Sequence, residues 1–191
     1  MNGNGDVPRP QPAPEPPQLE HRHRFGVPPT EVSVERWRRA DNFTPAGRRV
    51  VAEAHLQAYA HRSDHVGTEH LLLALVAAGH QEVDDILDRL GLSADDLRKR
   101  VEEAIGPAQP PRAAHLPYSP LAKQAFAASL QQAQAQNGRL IGVVDLVYGL
   151  FSQPAGAAAR FVADLGVDPE SVCDYAAPEH ARLDPPRFST G

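Results

Sequence analysis

The chain has 191 residues and one cysteine, Cys173, so an internal disulfide is excluded and a lone, inert thiol near the end of the folded part is expected. Net charge is −5, and no apolar run reaches the roughly 18 residues that a membrane-spanning helix needs. With no secretory h-region after Met1, composition points to a soluble protein of the cytoplasm with no membrane partner.

Residues 1–29 hold many of the 19 prolines and almost no apolar side chains. Such a stretch cannot bury enough surface to offset chain entropy, so a disordered tail is expected there. Residues 30–42 read as a short basic lead-in, helical over Thr30–Ala40, with Trp37 as its one large anchor. Residues 21–50 carry +4 and the remainder of the chain −9. A basic segment before an acidic domain can meet nucleic acid, an acidic partner or its own domain.

The foldable part, 43–176, contains a duplication. Shifted by 75 residues, Phe43-Thr44-Pro45 falls on Tyr118-Ser119-Pro120, and Val66-Gly67 falls on Ile141-Gly142. Leu71, Leu75, Leu90 and Gly91 fall on Leu146, Leu150, Leu165 and Gly166. Each copy reads as four helices. The first opens with Thr44 or Ser119 as N-cap and a proline at the first helical position, where no N–H is needed. Val50, Val51, Ala54 and Ala58 then recur at helical spacing. The second helix follows the Gly turn, with Leu71, Leu72, Leu75 and Val76 in one copy and Leu146, Val147, Leu150 and Phe151 in the other. The third carries Val83, Ile86, Leu87 and Leu90, and Gly91 or Gly166 stands where a C-terminal cap belongs. The fourth starts at Ser93 or Asp168. No strand pattern competes. The predicted architecture is all-α: two tandem, pseudo-symmetric four-helix repeats over 43–106 and 118–176, a Pro-rich linker 107–117, and a flexible tail 177–191.

These residues carry a resemblance. FTPAGRRVV…VGTEHLLLAL…LGLSADDLRKRVEEAIG followed by PYSPLAKQAF…IGVVDLVYGL…LGVDPESV resembles the N-terminal, or Clp repeat, domain of the Clp ATPases, most of all the ClpC branch. The resemblance covers nearly all of 43–176. No G-x-x-x-x-G-K-[ST] loop is present, and the chain ends where the family's ATPase modules would begin. The resemblance therefore implies a freestanding domain: a docking platform for Clp protease components, adaptors and substrates, including arginine-phosphorylated ones, that acts as adaptor, decoy or sequestering factor. It also implies cyclic-peptide antibiotics as ligands. Stand-alone versions in actinobacteria suit the Ala/Arg/Pro-rich composition.

Enzyme signatures are missing: there is no G-x-S-x-G, H-E-x-x-H or C-x-x-C. No cofactor is implied. His61 and His65 have the spacing of helical metal ligands, but Ser63, Asp64 and Gly67 end the helix before His65. The candidate ligand residues are Thr44 and Glu69, spaced as in the family's phosphoarginine sites, with Ser119 as the second copy's cap. A helix N-terminus suits a phosphate, and a carboxylate suits its guanidinium. In the second copy Val144 replaces the acid, so at most one site is expected, in repeat one. Glu69 is equally suited to plain helix-dipole chemistry, worth about 0.3–1 kcal/mol. Phe43 and Tyr118 precede the caps; they staple the incoming chain to its helix or, with Lys123, line a peptide groove. The rival reading makes residues 21–50 a nucleic-acid-binding or regulatory surface.

Overall fold

The computed structural model describes residues 40–107, 116–136 and 138–177. The Pro-rich tail, most of the lead-in with Trp37, the middle of the linker and the C-terminal tail lie outside the described residues. Those described form eight α-helices after a short 3-10 turn at Ala40–Asn42. Repeat one supplies α1 (Pro45–Ala60), α2 (Thr68–Ala77), α3 (Gln81–Arg89) and α4 (Ala94–Ile105). Repeat two supplies α5 (Pro120–Ala135), α6 (Val143–Phe151), α7 (Ala157–Asp164) and α8 (Pro169–Ala176). The all-α, doubled four-helix architecture expected from the sequence is the one observed.

The predicted punctuation is in place. Thr44 Oγ1 accepts from Gly47 N–H at 3.1 Å, and Ser119 Oγ accepts from Ala122 N–H at 3.1 Å. Gly91 and Gly166 adopt φ of +68° and +85°, the left-handed conformation that a side chain disfavours. Both belong to a Schellman motif: Leu92 N–H reaches Leu87 O, and Val167 N–H reaches Val162 O. Ser93 and Asp168 cap α4 and α8.

The core runs along α2 and α6. Leu71 to Val76 is buried without a break, as are Leu146, Val147, Leu150 and Phe151. Each central helix packs on the first and fourth helices of its own repeat. The two repeats meet through α2 and α6, with α3 reaching α6 and α8, and α7 reaching α2 and α4. Each cross-repeat contact thus has a twofold counterpart. Gly149 lets α6 press against α5, because a Cβ there would collide with Ser129 Oγ and the Ala125 carbonyl.

The sequence did not announce one feature. Two isolated parallel bridges tie the repeats together: Phe43 pairs with Ile141, and Val66 pairs with Tyr118. Thr44 N–H donates to Ile141 O at 3.0 Å and Ile141 N–H to Asn42 O at 2.7 Å. Val66 N–H donates to Pro117 O at 2.8 Å, and Ser119 N–H to Val66 O at 2.9 Å. The segment before each capped helix therefore lies against the Gly turn of the opposite repeat.

Candidate functional site

Glu69 and His70 occupy the first turn of α2, directly after Gly67. His70 is fully buried, and its Nδ1 accepts from Gly67 N–H at 3.0 Å. This is the reaching-back half of a capping box, with a histidine in the place usually held by Glu or Gln. The same job in repeat two falls to Asp145, whose Oδ2 accepts from Gly142 N–H at 2.8 Å. Asp145 Oδ1 meanwhile holds Arg139 at 2.7 Å. Burial pushes the Asp145 carboxyl above its ordinary value, against the pull of Gly142 N–H and the Arg139 charge.

Glu69 curls back over Gly67, so that a side chain at position 67 would collide with its carboxylate. Its Oε1 lies 3.2 Å from His70 Nδ1, and its side chain is 17% exposed. Nδ1 can serve only one of these neighbours at a time. With its lone pair on Gly67 N–H it has no proton for Glu69, and the carboxylate then leans on its own backbone N–H and the positive end of α2. Burial works to raise the Glu69 pKa. Nearby His70, its own N–H and His65 together outweigh burial and hold it below the ordinary value. Glu69 is thus an ionised carboxylate at neutral pH.

That carboxylate faces a cleft between the repeats, about 660 Å³ in volume. Repeat one contributes His65, Glu69 and the end of α4 at Ala104 and Ile105; repeat two contributes α7, notably Arg160, Phe161 and Asp164. The volume is within the usual range for small-ligand sites. Thr68 fixes the two walls: its buried Oγ1 accepts from Ala157 N–H, the first residue of α7, at 2.9 Å. Arg100 of α4 and Asp164 of α7 close one side with an ion pair at 2.7 Å.

Of the six residues expected at a ligand site, only Glu69 lines this cleft. Thr44 is bound by backbone to Ile141, beside the turn that carries Val144. Ser119 is bound to Val66, beside the turn that carries Glu69. The structure therefore sets Ser119, rather than Thr44, alongside the acidic turn. Phe43 is buried and packs edge-on against Phe126 of α5, across the repeat boundary, with ring centroids 6.1 Å apart. Tyr118 packs on the same ring at 5.1 Å and bonds His55 Nε2 through its hydroxyl at 2.7 Å. Lys123 is half-buried in the first turn of α5. His61 Nδ1 is 2.7 Å from Gly106 O, while His65 pairs with Asp64. Among the described residues no group of three or more His, Cys, Asp or Glu could hold a metal ion. Cys173 is buried, and burial with the nearby acids Asp174, Glu170 and Asp168 pushes its thiol up to about 12. It is inert as a nucleophile.

Thr68, Arg160 and the Arg139–Asp145 pair were not singled out from sequence. The shared box was detectable: both Gly turns are followed three residues later by a side-chain acceptor, His70 or Asp145. The cleft was not, because Glu69 and Arg160 stand in different repeats.

No helix among the described residues is long and apolar enough to cross a membrane. The family model for the Clp repeat (R) N-terminal domain matches residues 42–165. The ClpA homolog ATP-binding subunit of the Clp protease from Brassica napus, a chloroplast protein, is 32% identical over 132 residues, covering 69% of this chain. Chloroplast ClpC1 of Arabidopsis thaliana is likewise 32% identical over 69% of this chain. The chain spans about 15% of the length of these curated relatives. The N-terminal domain of ClpD from Arabidopsis thaliana superposes with a TM-score of 0.60 at 24% identity, covering 75% of this chain and 95% of that one. The Hsp104 N-terminal domain from Candida albicans gives 0.61 at 16% identity, over 71% and 89% of the two chains. With the doubled helical repeat, its capped starts and a family match across both copies, this chain belongs to the Clp repeat N-terminal domain family.

Proposed function

We propose that this protein is a non-enzymatic peptide-binding module of a Clp proteolytic system, recognising adaptors or substrates as an adaptor, decoy or sequestering factor. The reading draws on the family membership and on one observation of the site. An ionised carboxylate, Glu69, is held at the start of a buried helix and opens onto a cleft built from both repeats. Such a group binds a guanidinium by charge-assisted hydrogen bonds. The ligand proposed is an arginine-bearing peptide, with phosphoarginine as the modified form.

The repeats support a single site. At the twofold-related position Val144 offers no acceptor, and Asp145 is already spent on Gly142 and Arg139. Titration calorimetry with a phosphoarginine peptide tests the reading. Wild type is expected to bind with micromolar-to-millimolar affinity, and Glu69→Ala to weaken it about tenfold or more, as loss of a charge-assisted contact does. Equal affinity in both proteins, or none in wild type, overturns it.

A further inference from the structure

Glu69 supplies one sign of charge to the cleft, and the opposite wall supplies the other. Arg160 lies in the first turn of α7, three residues after Ala157, the residue that Thr68 ties to the start of α2. The Thr68 bond therefore fixes the starts of the helices that carry the acid and the base. Arg160 is exposed and has no ion-pair partner among the described residues. The acid best placed to take it, Asp164 one turn on, is instead bound by Arg100 at 2.7 Å. The same cleft also offers apolar surface, with Phe161 buried and Ile105 half-buried.

The arrangement occurs once. At the twofold-related positions Glu69 is replaced by Val144 and Arg160 by Asp85, which accepts from Gln81 at 2.8 Å. Val143 stands where Thr68 would be and has no acceptor to join the helices. At these two positions one side of the domain thus has a carboxylate and a guanidinium, and the other side has an apolar and an acidic side chain.

We infer that Arg160 is the anion-binding and specificity-determining residue of this cleft, so that the ligand is an ampholyte: a guanidinium held by Glu69, an anion held by Arg160, and an apolar stem against Ile105 and Phe161. The inference rests on the Glu69 reading above and adds the second charge to it. A guanidinium fork binds phosphate and carboxylate oxygens alike. The shared chemistry therefore comes from two sources, a phosphorylated arginine side chain or an unmodified peptide with an acid next to arginine.

Calorimetry with three otherwise identical peptides separates these cases: one with phosphoarginine, one with Arg-Glu and one with arginine alone. For wild type the first or second is expected to bind roughly tenfold tighter than the third, the scale of one charge-assisted contact. Which of the two leads identifies the source. R160A should abolish that preference, while Arg160→Lys restores part of it. E69A should weaken all three. Amide shifts over Ala157–Asp164 on adding the tight peptide give an independent readout that does not depend on any variant. If R160A keeps the full preference while E69A weakens binding, Arg160 is not the anion partner and the Glu69 reading stands alone. If wild type binds none of the three, both fall.

Discussion

The hydroxyl of Thr68 in repeat one accepts the hydrogen bond of Ala157 N–H in repeat two, and so caps a helix that begins 89 residues later in the chain. A cap is normally local, supplied by the residue just before the helix. Here the residue before α7 is Gly156, which has no side chain to offer. Thr68→Val keeps the shape and removes the acceptor. It should cost about 1 kcal/mol, the usual value of a lost cap, whereas Thr68→Ser should cost less. Urea unfolding of the two variants measures the difference.

His70 should tolerate only residues that can still accept from Gly67. His70→Ala leaves a buried N–H without a partner and opens a cavity, for a combined loss of about 2–4 kcal/mol. His70→Gln keeps an acceptor at the same position of the capping box and should lose less than half as much. Thermal denaturation followed by circular dichroism ranks the two.

Gly149→Ala should be destabilising by about 1–3 kcal/mol or more, because the new methyl must displace the Ala125 carbonyl and Ser129 backbone rather than a flexible side chain. Its counterpart in repeat one is already an alanine, Ala74, fully buried and accommodated. The reverse change, Ala74→Gly, should therefore act only through helix propensity, about 1 kcal/mol, and any cavity it leaves. Equal and small effects at both positions would contradict the close approach of α5 and α6.

The carboxylates of Glu69 and Asp145 should give opposite pH signatures. Glu69 titrates below its ordinary 4.5 in the folded state, so its contribution is present above that value and is lost as pH falls through the folded pKa. Asp145 titrates above its ordinary 3.8, so its contribution is fully present below that value and is lost as pH rises through the folded pKa. The stability gap between wild type and Glu69→Gln should therefore narrow on acidification, whereas that between wild type and Asp145→Asn should shift in favour of wild type. Denaturant melts at about neutral pH and in the acid range around these values give both slopes.

The sequence disclosed the helices because caps, prolines and glycines are local chemistry. Thr44, Ser119, Gly91 and Gly166 each act on residues within one turn, and all four are where periodicity put them. What it concealed was the exchange between repeats. Nothing in Phe43 or Val66 says that its backbone partner is Ile141 or Tyr118 rather than a residue of its own copy. For the same reason the spacing of Thr44 and Glu69 pointed within a repeat, whereas the structure sets Ser119 beside the acidic turn. Glu69 stood out because it interrupts a match between copies; Arg160 did not, since a lone arginine on a short helix carries no pattern.

The exchanged bridges also govern how the molecule can be assembled. A tandem duplication suggests that half the chain could fold as soon as it is made. Yet the strand edge at Phe43 stays open until Ile141 exists, and that at Val66 until Tyr118 does. Repeat one therefore leaves the ribosome as an incomplete body, and closure waits on contacts distant in sequence, which are slow to form. Separated pieces covering 40–107 and 116–177 should each lack cooperative melting, yet regain it when mixed, each lending the other its missing edge.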